Sequence, residues 1–329
     1  MNKQNRILCL ALVMGSSLLL QSYGMEAPGN GKENWHYSQK DYHWYYQEQD
    51  AAHHTGWLKY EGEWYWFDEN GWMMSGGYRT IDGVRYFFYS NGHMAWNQYK
   101  ELKYLDENGQ EDDKHKIRVI GSESPTSEDR DLITDDLYEV PRSWIRRFVD
   151  SGWEFMFYKK KNYFAAPSSD GEIYYVYHAL DTHYKKAKFI ESDSILEVFG
   201  EYVGYASGCY RENSAWMESL WNDFPRLRNI LEIPSYYSDD KQFYFGKAFA
   251  GYLDDQTREE MLQSAPDACA VLEEILHSED DEETRERLRA EREAKAQEER
   301  VRAEQTAREN GYGPGVKKPE ETEASTGES

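Results

Sequence analysis

Residues 194–205 read SILEVFGEYVGY, and the two acids within them, Glu197 and Glu201, stand four apart. On a helix that spacing puts both carboxylates on one face. Aligned carboxylates offer oxygen ligands to a hard cation, and with Asp239 or Asp240 they would suit Ca²⁺ or Mn²⁺. They make a poor zinc site, because zinc in proteins favours nitrogen and sulfur. His178 and His183 could supply nitrogen, but five residues apart on a strand they fall on opposite faces. The plainer reading of the acids is a solvated or ion-paired helix face. Gly200 lies between them, where it costs about 1 kcal/mol relative to alanine. No Ser-His-Asp or Cys-His arrangement has a local signature in the chain.

A second group of residues is aromatic. The chain's Tyr and Trp side chains crowd residues 35–104, which marks that stretch as a specialised module. GWLKYEGEWYWFDENGWMMSG (56–76) is followed by GYRTIDGVRYFFYSNGHMA (77–95). Trp57 aligns with Tyr78, Trp64 with Arg85, and Asn70-Gly71 with Asn91-Gly92. A shorter copy, NQYKELKYLDENGQ (97–110), comes after, and Trp44-Tyr45-Tyr46 marks an eroded copy before. Units this short bury a core only by stacking on one another. WYWF at 64–67 alternates faces in a strand, so Trp64 and Trp66 share one face and Tyr65 and Phe67 the other. Asn-Gly is a tight-turn signal, and each unit is expected to be a β-hairpin.

These residues resemble the choline-binding, or cell-wall-binding, repeats of secreted bacterial proteins. Gly56-Trp57, Gly62, Trp64-Tyr65-Trp66-Phe67, Asn70-Gly71 and Met74 follow that pattern in register. The resemblance implies that rings from neighbouring hairpins cage the quaternary ammonium of choline on teichoic acid, held by cation–π attraction. Related repeats stack glucan sugars on the same rings. The ring set it implies here is Trp57, Trp64, Trp66, Tyr78 and Tyr86. Arg85 replaces a tryptophan of the pattern and would repel a cation at that place.

The elements that must position Glu197 and Glu201 follow a polar, turn-rich stretch, residues 111–130, which reads as a linker. A helix is expected from near Pro141, with strands at Trp153–Tyr158 and within GEIYYVYHAL. Helices are then expected in SDSILEVFGEYVGY, NSAWMESLWNDF, KQFYFGKAFAGYL and PDACAVLEEILH. Residues 131–277 thus form an α+β, mostly helical domain large enough for its own core. Its order of elements resembles the catalytic domain of anthrax lethal factor and its secreted relatives. Those are zinc peptidases with a His-Glu-Phe-Gly-His helix, in which two His at i and i+4 hold the metal.

Phe199-Gly200, Ala248-Phe249 and Ala265-Pro266 match that family. The resemblance puts Glu197 and Glu201 at the two His positions, Val198 at the general base and Phe243 at the third ligand; Tyr236 keeps the family identity. It implies a zincin-like fold that has lost its ligands and the base that would activate a bound water. It also gives Gly200 a reason, as the remnant of a helix packed close beside a metal. No metal or cofactor is expected, zinc belonging only to an alternative reading as an active secreted metalloendopeptidase with non-standard ligands.

Residues 1–24 carry Lys3 and Arg6 and then an apolar run from Ile7 to Leu20, too short to span a bilayer. They read as a secretory signal peptide. Cys209 and Cys269 then form one disulfide or remain two buried thiols. Residues 278–310 are almost all charge, with i,i+4 pairs such as Glu291–Lys295 that favour a solvated single helix, and 311–329 read as a disordered tail. Acids outnumber bases 61 to 38, for a net charge of −23, which argues against nucleic acid or a polybasic membrane contact. The expected architecture is multidomain: a β-hairpin repeat solenoid (34–110), a linker, the zincin-like domain (131–277) and a charged helix. The expected function is binding at a cell surface. The repeats would hold choline-bearing teichoic acid or a cell-wall glycan, and the second domain a peptide or protein in its old cleft. A purely structural spacer is the third possibility.

Overall fold

The second and third aromatic units fold as tight hairpins because two consecutive residues take left-handed backbone at each tip. Strands β1 (Trp35–Ser38) and β2 (His43–Tyr46), β3 (Gly56–Tyr60) and β4 (Glu63–Phe67), and β5 (Gly77–Ile81) and β6 (Val84–Phe88) pair antiparallel. Glu61-Gly62 and Asp82-Gly83 turn the second and third hairpins with φ of 50° and 82°, and 50° and 83°. Such turns match the right-handed twist of the flanking strands. The Asn-Gly pairs of the second and third hairpins, expected to mark their tight turns, lie in the loops that leave them, whereas Asn108-Gly109 lies in the loop joining the paired strands Lys103–Leu105 and Glu111–Asp112. There Asp68 Oδ1 accepts the backbone N–H of both Asn70 and Trp72 at 2.9 Å, and Asp106 Oδ1 accepts those of Asn108 and Gln110 at 2.9 Å.

The computed structural model describes residues 34–159, 164–167, 173–233 and 240–280, with positions 297 and 301–302. The signal segment, Tyr236, Asp239, the tail and most of the charged stretch lie outside the described residues. The chain divides into a unit of residues 1–279 and a second of 280–329, of which positions 297 and 301–302 are helical. All of the numbered strands and helices lie in the first unit.

The hairpins stack in chain order, and the second feeds two cores. Trp35, Tyr65, Phe67 and Met73 fill the first, joined by Trp44, Tyr46, Leu58 and Tyr60. Ile81, Phe88 and Met94 fill the second, against Trp57, Trp64, Trp66 and Tyr86. The WYWF strand is aromatic on both faces because a neighbour packs on each.

Residues 111–130 do not form the expected linker. β9 (Glu111–Asp112) pairs with β8 (Lys103–Leu105), which itself pairs with β7 (Gln98–Lys100). β10 (Arg118–Ile120) runs parallel to β11 (Glu154–Tyr158). Thr126 caps helix α1 (Ser127–Tyr138): its hydroxyl accepts the Asp129 N–H at 3.1 Å and Asp129 Oδ2 accepts the Thr126 N–H at 2.7 Å. Nor are the repeats and the helical part separate. Tyr99 and Tyr104 belong to the large helical core, Tyr99 meets Phe155 edge-on at 5.4 Å, and Arg142 reaches both carboxylate oxygens of Glu63 at 2.8 Å.

The main sheet has the order β10-β11-β15-β14, with β15 (Lys186–Phe189) parallel to β11 and β14 (His178–Asp181) antiparallel to β15. β12 (Phe164–Pro167) and β13 (Ile173–Val176) form a separate hairpin. Seven helices follow α1 among the described residues: α2 (Arg142–Asp150), α3 (Ile195–Ser207), α4 (Ala215–Asn222), α5 (Phe224–Ile230), α6 (Lys241–Leu253), α7 (Asp255–Ser264) and α8 (Pro266–Leu276). α3 packs between β14 and β15 on one side and α6 on the other, and every position from Ile195 to Gly204 except Glu197 is buried. A helix covered on all sides has no polar face to show. No helix among the described residues is long and apolar enough to cross a membrane.

Candidate functional site

Two clusters carry the residues singled out by sequence. The first lies where α3 crosses α6. A Cβ on Gly200 would stand 2.7 Å from Phe249 Cβ, and one on Gly246 would stand 2.6 Å from the Glu197 carbonyl oxygen. Both glycines therefore serve close helix approach. Gly200 owes its place to Phe249, and no metal is needed to explain it.

At this crossing Glu197 and Glu201 turn to the same partner, His178 on β14. Glu197 Oε2 is 3.3 Å from His178 Nδ1, and Glu201 Oε1 is 3.0 Å from Nε2. From α6, Lys247 Nζ donates to Glu197 Oε1 at 2.6 Å and Gln242 Nε2 donates to Glu201 Oε2 at 2.8 Å. Phe243 lies parallel to the imidazole, with ring centres 5.6 Å apart and planes at 3°. His178 and Glu201 are buried, while Glu197 keeps a partly exposed edge. A carboxylate oxygen accepts hydrogen bonds, so Nε2 is the nitrogen that donates to Glu201, while Nδ1 stands within ion-pair range of Glu197. Burial pulls the His178 pKa down, but Glu201 and Glu197 outweigh it and leave it above the ordinary histidine value.

The positions assigned by resemblance to a zinc centre thus meet in space, yet they do not fit the ion. Metal ligands converge on a common point about 2 Å from each; here the imidazole lies between the two carboxylates and points one nitrogen at each. Among the described residues, no group of three or more His, Cys, Asp or Glu side chains is arranged to hold a metal. Val198 is buried in the hydrophobic core. Asp240, considered as an oxygen ligand, caps α6 by accepting the N–H groups of Gln242 and Phe243 at 3.0 Å. His183 is exposed in the turn after β14 and packs edge-on against Tyr184. Sequence reasoning weighed His178 only as a partner of His183; its real partners lie 19 and 23 residues away on another element. Cys209 and Cys269 are free and buried, and burial pushes their thiols to about 12 and about 11, well away from a nucleophilic thiolate.

The second cluster is made of rings. In the β3–β4 register Trp57 faces Trp66 and Lys59 faces Trp64, so the three tryptophans share the face turned to the third hairpin. Trp57 stands at 88° to Trp64 with centres 6.4 Å apart, and at 69° to Tyr86 with centres 4.9 Å apart. All of these rings are half-buried, and Trp57 is also stacked on Phe88 at 6.0 Å. Tyr78, the fifth ring of the expected set, lies on the opposite face of its hairpin. Arg85, which faces Thr80 beside it, sets its Cζ 3.8 Å above the Tyr78 ring centre and pairs with Glu111 at 3.5 Å. Sequence reasoning left out Trp96 and Met74, which pack on the same second core; Trp96 Nε1 donates to Glu63 at 3.4 Å and Arg142 lies over its ring.

No protein-family model matches the chain, and no curated protein sequence matches it. Solved structures similar to parts of it include two kinds. The choline-binding domain of Spr1274 from Streptococcus pneumoniae is 26% identical over 25% of this chain and 95% of that one, with a TM-score of 0.23. CbpJ from Streptococcus pneumoniae is 30% identical over 24% of this chain, which spans only 27% of CbpJ, with a TM-score of 0.23. The Pro-Pro endopeptidase PPEP-2 from Paenibacillus alvei is 13% identical over 48% of this chain and 96% of that one, with a TM-score of 0.35.

Proposed function

We propose that this chain is an exported cell-wall-binding protein whose Trp57, Trp64 and Tyr86 rings hold a quaternary ammonium group such as choline on teichoic acid. The observation that carries the reading is the steep mutual angle of these rings. A sugar lies flat on one ring face, whereas a rounded cation gains from faces on several sides at once. Trp66, opposite Trp57, completes the tryptophan face. The helical part is a peptidase-like domain, of the lethal factor type by its motifs, that holds a peptide or protein without cutting it. Val198 supports this, since a buried valine at the general-base position cannot take a proton from water.

The test is retention of the full chain on a quaternary-amine resin with elution by free choline. The net charge of −23 would hold the chain on such a resin by ion exchange alone, so loading is done at high salt, where that attraction is screened. The parent is expected to stay bound until choline is added, and Trp57→Ala and Trp64→Ala are expected to wash through. If both variants elute with the parent while keeping its circular dichroism, the cage is wrongly assigned.

A further inference from the structure

The cluster on α3 leaves none of its carboxylate oxygens idle. Glu197 Oε2 and Glu201 Oε1 face the two nitrogens of His178, while Glu197 Oε1 accepts from Lys247 and Glu201 Oε2 from Gln242. The two carboxylates are thus met by an imidazole, an ammonium and an amide, and His178 and Glu201 are the buried members of the set. Removing one partner from such a set is strongly destabilising, because the charge left behind has lost water as well as its partner. The set also spans three elements, with His178 on β14, the acids on α3, and Lys247 and Gln242 on α6. Phe243, which carries neither charge nor donor on its ring, closes one face of the imidazole.

We propose that His178 is a built-in cation that does mechanically what a bound metal would do, tying the sheet to α3 and α6, and that its presence closes the site to divalent ions. A metal would need the lone pairs that His178, Lys247 and Gln242 already engage, and it would have to approach an imidazolium and an ammonium. The charged groups facing the imidazole are Glu197 and Glu201 from α3, with Lys247 behind Glu197 on α6. This inference shares with the proposed function only the absence of metal chemistry in the helical part. It is independent of the ring cage, and its readouts do not involve ligand retention.

Nitrogen NMR of the ¹⁵N-labelled full chain at neutral pH is the direct test. Both ring nitrogens of His178 are expected at protonated, imidazolium-type shifts; a single neutral tautomer would overturn the proposal. In thermal unfolding the parent midpoint is expected not to move with Mn²⁺ or Zn²⁺. A metal-dependent rise would show the site to be open and would equally overturn it. His178→Ala is expected to lower the midpoint on the order of 10 °C, and free imidazole, small enough to enter the vacated space, is expected to restore part of it. The same imidazole should leave the parent unmoved. An unchanged midpoint in His178→Ala, or no rescue of a folded variant, contradicts the tie. Should that variant not fold, the nitrogen shifts and metal response of the parent decide alone.

Discussion

The second and third hairpins are built on one repeat unit, yet their aligned rings meet different partners. In the second, Trp57 and Trp64 stand at 88° and share a partly open face with Tyr86. One unit later the aligned positions are Tyr78 and Arg85, and the arginine lies on the tyrosine ring, 3.8 Å from its centre. The frame is the same, but where the proposed cage has a tryptophan wall the third hairpin sets an arginine of the chain itself over the ring. The α3–α6 crossing takes that substitution further, with His178 set between two acids and Lys247 paired with one of them. Ring geometry alone therefore does not define a binding site; what matters is whether the protein already supplies the charge.

The largest effect expected from this contrast falls on the second hairpin. Truncating Trp57 or Trp64 removes a desolvated cation–π face worth about 2 kcal/mol, so choline affinity is expected to fall by at least roughly tenfold. Calorimetric titration of each variant checks this. At the α3–α6 crossing, Gly200→Ala would gain about 1 kcal/mol of helix propensity but must displace Phe249, an overpacking cost of about 1–3 kcal/mol. A net loss in denaturant midpoint is expected, with choline affinity kept; a stabilised variant would show that the helices part easily.

A smaller effect is expected from acid. His93 is buried between Tyr89, 4.6 Å away, and Tyr138, whose hydroxyl is 3.5 Å from Nε2. Burial lowers its pKa from 6.5 to about 4, with Glu63 pulling up and Arg142 pushing down. The folded state thus holds this histidine neutral where the unfolded chain protonates it. Its contribution is present above pH 6.5 and is lost as pH falls from there toward 4. Between pH 7 and 5 the loss is roughly 2 kcal/mol, and His93→Phe should flatten that slope in urea unfolding. Smallest of all are Tyr78→Ala and Arg85→Ala. Because that ring is already covered, each is expected to change choline affinity less than about twofold; a tenfold loss would place Tyr78 in the cage after all.

Much of this was legible along the chain. Alternation in WYWF predicted both faces of the hairpin, and the 21-residue register predicted which rings recur. Helical spacing placed α3 and α6, whose crossing gathers the acids. The legible parts are local or repeated: each rests on residues within one turn or one strand of each other, or on a unit recurring at a fixed interval. What sequence missed is long-range or borrowed from neighbours. β10 is three residues whose pairing with β11 is parallel and made at a distance of 38 residues, so nothing near Arg118–Ile120 announces it. α1 begins at the capping box Thr126–Asp129, a signal present in the sequence but hidden within a polar stretch. α5 and α7 escaped because one is a single short run after α4 and the other is mostly polar. His178 faces Glu197 and Glu201 only because β14 lies against α3, a matter of tertiary packing.

The central claim is that Trp57, Trp64 and Tyr86 form one cation site beside a neighbour that is already filled. Choline titrated into the full chain at high salt and followed by tryptophan fluorescence tests it most directly. The account predicts saturation at one choline per chain for the parent and for Tyr78→Ala, and none for Trp64→Ala. Equal saturation of the parent and Trp64→Ala, or no response from the parent, would contradict it.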